Sequence, residues 1–119
     1  HQGQTLLLAD ETSLPTVLAL LENWHNPIPP ILINVLHDEA EHDYINQIDM
    51  PVGTDVYFID SQSESLDQLV IAVIQALPKI DAVWAALENN LAKKIRKYLR
   101  EERGLLGSNN RVKGYWSKR

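Results

Sequence analysis

The chain has 119 residues and a mass of 13.5 kDa, enough for one hydrophobic core and not two. Hydrophobic residues at 45% and charged residues at 23% are ordinary for a globular domain, whereas a net charge of -5 and a pI near 5.2 leave no general positive footprint for nucleic acid or an anionic membrane. Cysteine is absent, which removes disulfides, thiol nucleophiles and thiolate metal sites, and no apolar run reaches the roughly 18 residues of a membrane helix, nor is a signal peptide visible.

The chain opens almost at once on a core strand, so it is expected to be a piece of a longer protein, with His1 to Gln4 as native linker or cloning remnant. Thr5 to Ala9 (TLLLA) is a short unbroken apolar run, the mark of a strand buried on both faces. After Asp10 and Glu11, Thr12 or Ser13 is placed to cap a helix that tolerates Pro15 in its first turn and carries a stripe of Leu14, Val17, Leu18 and Leu21. That helix stops near Trp24, ahead of the Asn26 to Pro30 turn.

Ile31 to Leu36 (ILINVL) is the second buried strand. His37 to Asp43 (HDEAEHD) follows, then an irregular polar stretch to Thr54 that Pro51 and Gly53 mark as loop with at most a turn of helix. Asp55 to Ile59 forms the third strand. Ser65 opens the clearest helix, with Gln68 as its capping-box partner and Leu66, Leu69, Val70, Val73, Ile74 and Leu77 as the apolar face, and Pro78 ends it. Asp81 to Ala86 (DAVWAA) is the fourth strand. Glu88 to Arg103 is the last helix, with Leu91, Ile95 and Leu99 inward and Gly104 as its C-cap. Val112 to Trp116 closes the sheet.

Apolar strands alternating with amphipathic helices predict an α/β fold: a doubly wound, parallel, five-stranded sheet covered on both faces, with right-handed crossovers. Such folds bind ligands at the carboxyl ends of their strands, near the point where strand order reverses. The loops to watch are therefore Asp10 to Ser13, His37 to Glu41, Asp60 to Ser63, Ala86 to Asn90 and Tyr115 onward.

Four groups of residues carry candidate chemistry. Asp10, Glu11 and Asp60 share the rim and give the pattern of a phosphate-accepting receiver module, a non-catalytic signalling reading. A receiver also needs a hydroxyl after the fourth strand and a Lys-Pro pair after the fifth, and Ala85 to Glu88 and Tyr115 to Lys118 contain neither. His37, Asp38, Glu39, Glu41, His42 and Asp43 are metal-ligand types without metal-ligand spacing, so a solvated loop is the simpler reading. By position, Asp38 or Glu39 just after the second strand suits the ribose hydroxyl of NADH and repels the extra phosphate of NADPH.

The basic face of the last helix, Lys93, Lys94, Arg96, Lys97, Arg100 and Arg103, reads mainly as solvated surface, with one or two cations available to a phosphate. Trp84 reads as a core ring, whereas Tyr115 and Trp116 reach the ligand rim, where stacking on a flavin or base is open to them. No nucleophile triad, no phosphate-cradling glycine loop, no catalytic carboxylate pair and no resident metal site is assigned. Any redox chemistry then belongs to a cofactor that the domain orients.

Three segments, LLLADETSLPTV (Leu6 to Val17), VWAALE (Val83 to Glu88) and YLREERGL with VKGYW (Tyr98 to Leu105, Val112 to Trp116), resemble the C-terminal domain of the siderophore-interacting protein family. These are flavin-dependent ferric-siderophore reductases related to ferredoxin reductases. The resemblance spans nearly the whole chain, residues 1-119, and implies a ferredoxin-reductase-like, Rossmann-like domain for NADH or NADPH, normally joined to an N-terminal FAD-binding barrel. It implies electron flow from NAD(P)H through FAD to Fe(III) in a ferric siderophore, with Fe(II) released in the cytoplasm and no membrane insertion. It carries cofactor-binding roles onto Asp10, Glu11 and Thr12, in place of a glycine-rich nicotinamide loop, onto Glu88 near the nicotinamide, and onto Tyr115 and Trp116 towards the flavin. Ala9 and Leu87 stand where the family commonly has glycine, and bulk at Leu87 is expected to narrow the approach of a dinucleotide. Without its barrel, the domain is expected neither to hold FAD firmly nor to reduce a siderophore.

Overall fold

Two unbroken apolar runs build the centre of the sheet. In the computed structural model, which describes residues 3-37, 40, 43, 45 and 47-117, β1 (Thr5–Asp10) lies between β2 (Ile31–Leu36) and β4 (Ala82–Glu88), parallel to both. β3 (Asp55–Asp60) and β5 (Asn110–Trp116) form the edges, and the five-stranded order is β3-β2-β1-β4-β5. The reversal of order between β1 and β4 is the place where open α/β sheets receive ligands.

Side chains alternate between two cores, because successive residues of a strand point to opposite faces. Leu6, Leu8, Ile33, Val35, Val83, Ala85 and Leu87 pack beneath α2 (Leu66–Ala76) and α3 (Asn89–Glu102), with Val70, Ile74, Ile95 and Leu99 opposite them. On the other face Leu7, Ala9, Leu32 and Leu36 meet Leu14, Val17 and Leu21 of α1 (Leu14–Glu22). This covering of both faces is why the central runs are continuous rather than alternating. The edge strand β3 is less covered, with Asp55, Tyr57 and Asp60 exposed, Val56 and Phe58 half-buried and Ile59 buried.

Several local expectations change. Ser13 is the N-cap of α1, but its hydroxyl makes no cap bond there and serves the preceding turn instead. The capping box expected at Ser65 and Gln68 does not form: Ser65 sits in the left-handed region, at φ 53° and ψ 46°, with no side-chain cap. Leu77 is extended, at φ -80° and ψ 154°, as the residue before a proline is pushed to be. In the stretch read as loop with a turn of helix, Ala40, Asp43 and Ile45 are helical; the unexpected feature is that Ile45 is fully buried in the α1-side core. Gly104 follows α3 at φ +67°, the conformation expected of a glycine just past a helix, and the Leu105 N–H reaches back 3.0 Å to the Leu99 carbonyl. A single 3-10 turn (Gly107–Asn109) then feeds β5, which begins at Asn110, earlier than its apolar content suggested.

Candidate functional site

Asp10 ends β1 and closes the turn after it. Its Oδ1 accepts from the Thr12 N–H at 3.0 Å, the Thr12 hydroxyl at 2.7 Å and the Ser13 N–H at 3.1 Å, while its own N–H donates to Ser13 Oγ at 3.1 Å. An aspartate bonding backbone two and three residues ahead is the natural device for stopping a strand. Its other oxygen, Oδ2, accepts from the indole Nε1–H of Trp116 at 2.7 Å. That bond ties the end of β1 to the end of β5, across β4 and 106 positions of sequence.

Trp116 reaches Asp10 because β5 changes register. Gly114 pairs with Leu87 but Trp116 pairs with Glu88, so the irregularity at Leu87/Glu88 skips Tyr115. Such a shift re-aims the side chains beyond it. Gly114 lets the strand lie against α3: a Cβ there would strike Asn89 Oδ1, the same side chain whose amide donates to the Ser117 hydroxyl at 2.6 Å.

Glu88 ends β4 and caps α3, accepting from the Asn90 N–H at 2.9 Å and the Leu91 N–H at 3.2 Å. A carboxylate at that position satisfies orphan donors and complements the helix dipole. Glu11 accepts from the His37 N–H at 3.3 Å, and His37 Nδ1 lies 3.0 Å from Asp60 Oδ1, which also accepts from the Gln62 N–H at 2.9 Å. The ends of β1, β2 and β3 are thereby laced together.

Between these strand ends lies a cleft of about 200 Å³. Val35, Leu66 and Leu91 supply apolar wall, Trp116 an aromatic one, and Asp10, Glu11, Thr12, Ser61, Gln62 and Glu88 the polar remainder. Three carboxylates line it, and among the described residues no cation does. The carboxylates of Asp10 and Glu88 are committed to internal donors, so Glu11 keeps the freest acidic oxygens.

The structure brings together Asp10, Glu11, Thr12, Glu88 and Trp116. Tyr115 is 49% exposed and does not line the cleft, for the register reason given above. Asp38 and Glu39 lie outside the described residues. Leu87 does not line the cleft: its side chain is wholly buried in the α2/α3 core. The basic face of α3 is also remote from the cleft, with Lys94 facing Asp67 at 3.7 Å, Arg96 bonded to the Val112 carbonyl at 2.8 Å and Arg103 to the Ile74 carbonyl at 3.2 Å. Reading from sequence missed Val35, Leu66 and Leu91 as cleft residues, although pleat parity and helix phase were available to suggest that the last inward residue before a strand end faces the rim.

Residues 2–119 match the family model described as siderophore-interacting protein. The chain belongs to the siderophore-interacting protein family. It is 25% identical over 114 residues to the ferric acinetobactin reductase of Acinetobacter baumannii, covering 93% of this chain and 39% of that protein. Among solved structures it resembles a siderophore-interacting protein from Acinetobacter baumannii, with a TM-score of 0.82, 22% identity and coverage of 98% of this chain and 47% of the other. It also resembles a siderophore utilization protein from T. fusca, with a TM-score of 0.80, 30% identity and coverage of 99% and 46%. The chain therefore spans less than half the length of the relatives it matches, and its fold is the five-stranded, ferredoxin-reductase-like α/β domain.

Proposed function

We propose that the chain is the pyridine-nucleotide-binding half of a flavin-dependent ferric-siderophore reductase, with a flavin-binding barrel as its covalent N-terminal partner. The cleft at the β1/β4 reversal carries this reading: it is walled on one side by a fixed indole and floored by apolar side chains. Its volume, about 200 Å³, is below the roughly 300 Å³ at which ligand pockets usually begin. One flat heteroaromatic ring suits that space and a whole dinucleotide does not. The absence of a lining cation among the described residues agrees, since a nicotinamide ring is neutral when reduced and cationic when oxidised, whereas its phosphates would be repelled there.

The cofactors bring hydride donation from NADH or NADPH and one-electron release through FAD to Fe(III) in a bound siderophore. The chain's own residues bind and orient. Trp116, Leu66 and Leu91 would shield a bound ring from water, and Glu11 and Gln62 would offer polar atoms to its carboxamide. Glu88 holds the start of α3, and with it Leu91, in place. Release of Fe(II) in the cytoplasm, where reduced nicotinamide is supplied, follows from the same reading. The name of the Acinetobacter relative supports reduction of a ferric siderophore as the overall reaction.

The test uses the full-length protein. It should purify yellow, bleach under anaerobic NADH or NADPH, and recover its colour on adding a ferric siderophore while a ferrous chelator traps iron. With Asp38 and Glu39 after β2, NADH is expected to work better than NADPH. A flavoprotein that neither pyridine nucleotide can bleach would sink the proposal.

A further inference from the structure

We infer that Asp10 is a positioning residue that acts through Trp116: its carboxylate fixes the indole as the wall of the cleft. This deepens the nicotinamide reading and rests on it only for its kinetic arm. Asp10 is 6% exposed, and its two carboxylate oxygens take four donors, namely the Thr12 N–H, the Thr12 hydroxyl, the Ser13 N–H and the Trp116 Nε1–H. Three of these donors crowd onto Oδ1, which has about two lone-pair sites, and the indole takes one of the two on Oδ2, so most of the carboxylate's accepting capacity is spent inside the protein.

Trp116, by contrast, is badly placed to hold itself still. It lies at the end of an edge strand, beyond a register shift and 37% exposed, and although Ser117 after it is held by the Asn89 amide, the indole ring itself has one polar anchor among the described residues. An indole has a single hydrogen-bond donor, and that donor is spent on Asp10 at 2.7 Å, a short bond typical of a charged acceptor. With the bond, the ring stands beside Leu66, Leu91 and Val35; without it, the ring is free to swing off the edge and leave those side chains wet.

The chemistry also explains why an acid stands there and not its amide. All four partners donate, so only an acceptor-only side chain satisfies them. Asp10→Asn keeps the shape but turns an NH₂ group towards a donor on one side or the other.

The readout is hydrogen exchange at the indole N–H groups, followed by NMR under native conditions. In the wild-type chain Trp116 should be protected, and Asp10→Asn should speed its exchange roughly 10- to 100-fold, the factor for one hydrogen bond to a charged acceptor. Trp24, whose indole N–H donates to the Ile28 carbonyl at 3.1 Å, is the internal control and should not change. Equal acceleration at Trp24 and Trp116 would assign Asp10 to the fold alone and overturn the inference. An unprotected Trp116 in the wild type would also overturn it, a result that needs no variant to fold.

In the full-length flavoprotein, Asp10→Asn and Trp116→Phe should each raise KM for the pyridine nucleotide roughly tenfold or more. The double variant should be no worse than either single one, because both remove the same wall. Additive effects would count against the clamp. No oxidation of NADH or NADPH by the wild type would sink the nicotinamide reading and leave the clamp standing on its exchange rates.

Discussion

Leu87 shows how a single side chain can mislead until its face is known. Bulk next to Glu88 looks like an obstacle to a ligand, but strand alternation sends Leu87 into the α2/α3 core, where it is completely buried beside Ile95 and Leu99. Leu87→Ala should therefore cost about 2–5 kcal/mol of stability, as large-to-small changes in cores do. It should leave the KM for NADH unchanged in the full-length protein. Urea unfolding and steady-state kinetics measure the two, and a large fall in KM without loss of stability would show that the side chain does guard the cleft. Glu88, one residue on, lines the cleft and spends its charge on the Asn90 and Leu91 N–H groups. Its residue type was legible as a rim acid, but its role as the cap of α3 depends on where β4 ends.

At the scale of elements, β5 matters most for the site, because it carries Trp116 and has only one neighbouring strand. It lies close against α3 at Gly114, where any β-carbon would meet Asn89 Oδ1. Gly114→Ala is expected to cost about 1–3 kcal/mol, the usual penalty for overpacking a tight contact. Asn89→Ala should return part of that loss by removing the struck atoms. A thermal-unfolding cycle of the two single variants and the double one measures the coupling; purely additive changes would mean that Gly114 is not held by this approach. The composition of the strand, VKGYW, marked an end of the sheet. The shift that skips Tyr115 and sets Trp116 opposite Glu88 is a property of two paired strands, and neither strand alone encodes it.

At the scale of the whole molecule, charge constrains how a ligand arrives. The chain carries a net charge of -5, and three carboxylates line the cleft with no cation beside them among the described residues. A dinucleotide brings further negative charge, so if NADH binds here its approach is opposed at long range. Raising ionic strength from about 0.01 M to about 0.15 M shortens the screening length from roughly 30 Å to 8 Å. KM for NADH in the full-length protein should fall over that range. A KM that rises with salt would mean that cations elsewhere, in the remaining length of the protein or in the stretch after β2, dominate the encounter.

The sequence by itself determined the fold and the family. Short continuous apolar runs bounded by turn residues read as strands buried on both faces, helices between them imply a parallel sheet, and the ADET, ALE and GYW wording marks the strand ends that meet at one rim. It also placed Asp10, Glu11, Glu88 and Trp116 near one another, since carboxyl ends of parallel strands gather on one side. What only the tertiary structure decided is which donors each of those side chains meets, because partners come from far away in sequence: the donor to Asp10 Oδ2 comes from Trp116, 106 positions on. That long-range bond ties the acid at the end of β1 to the cleft's aromatic wall.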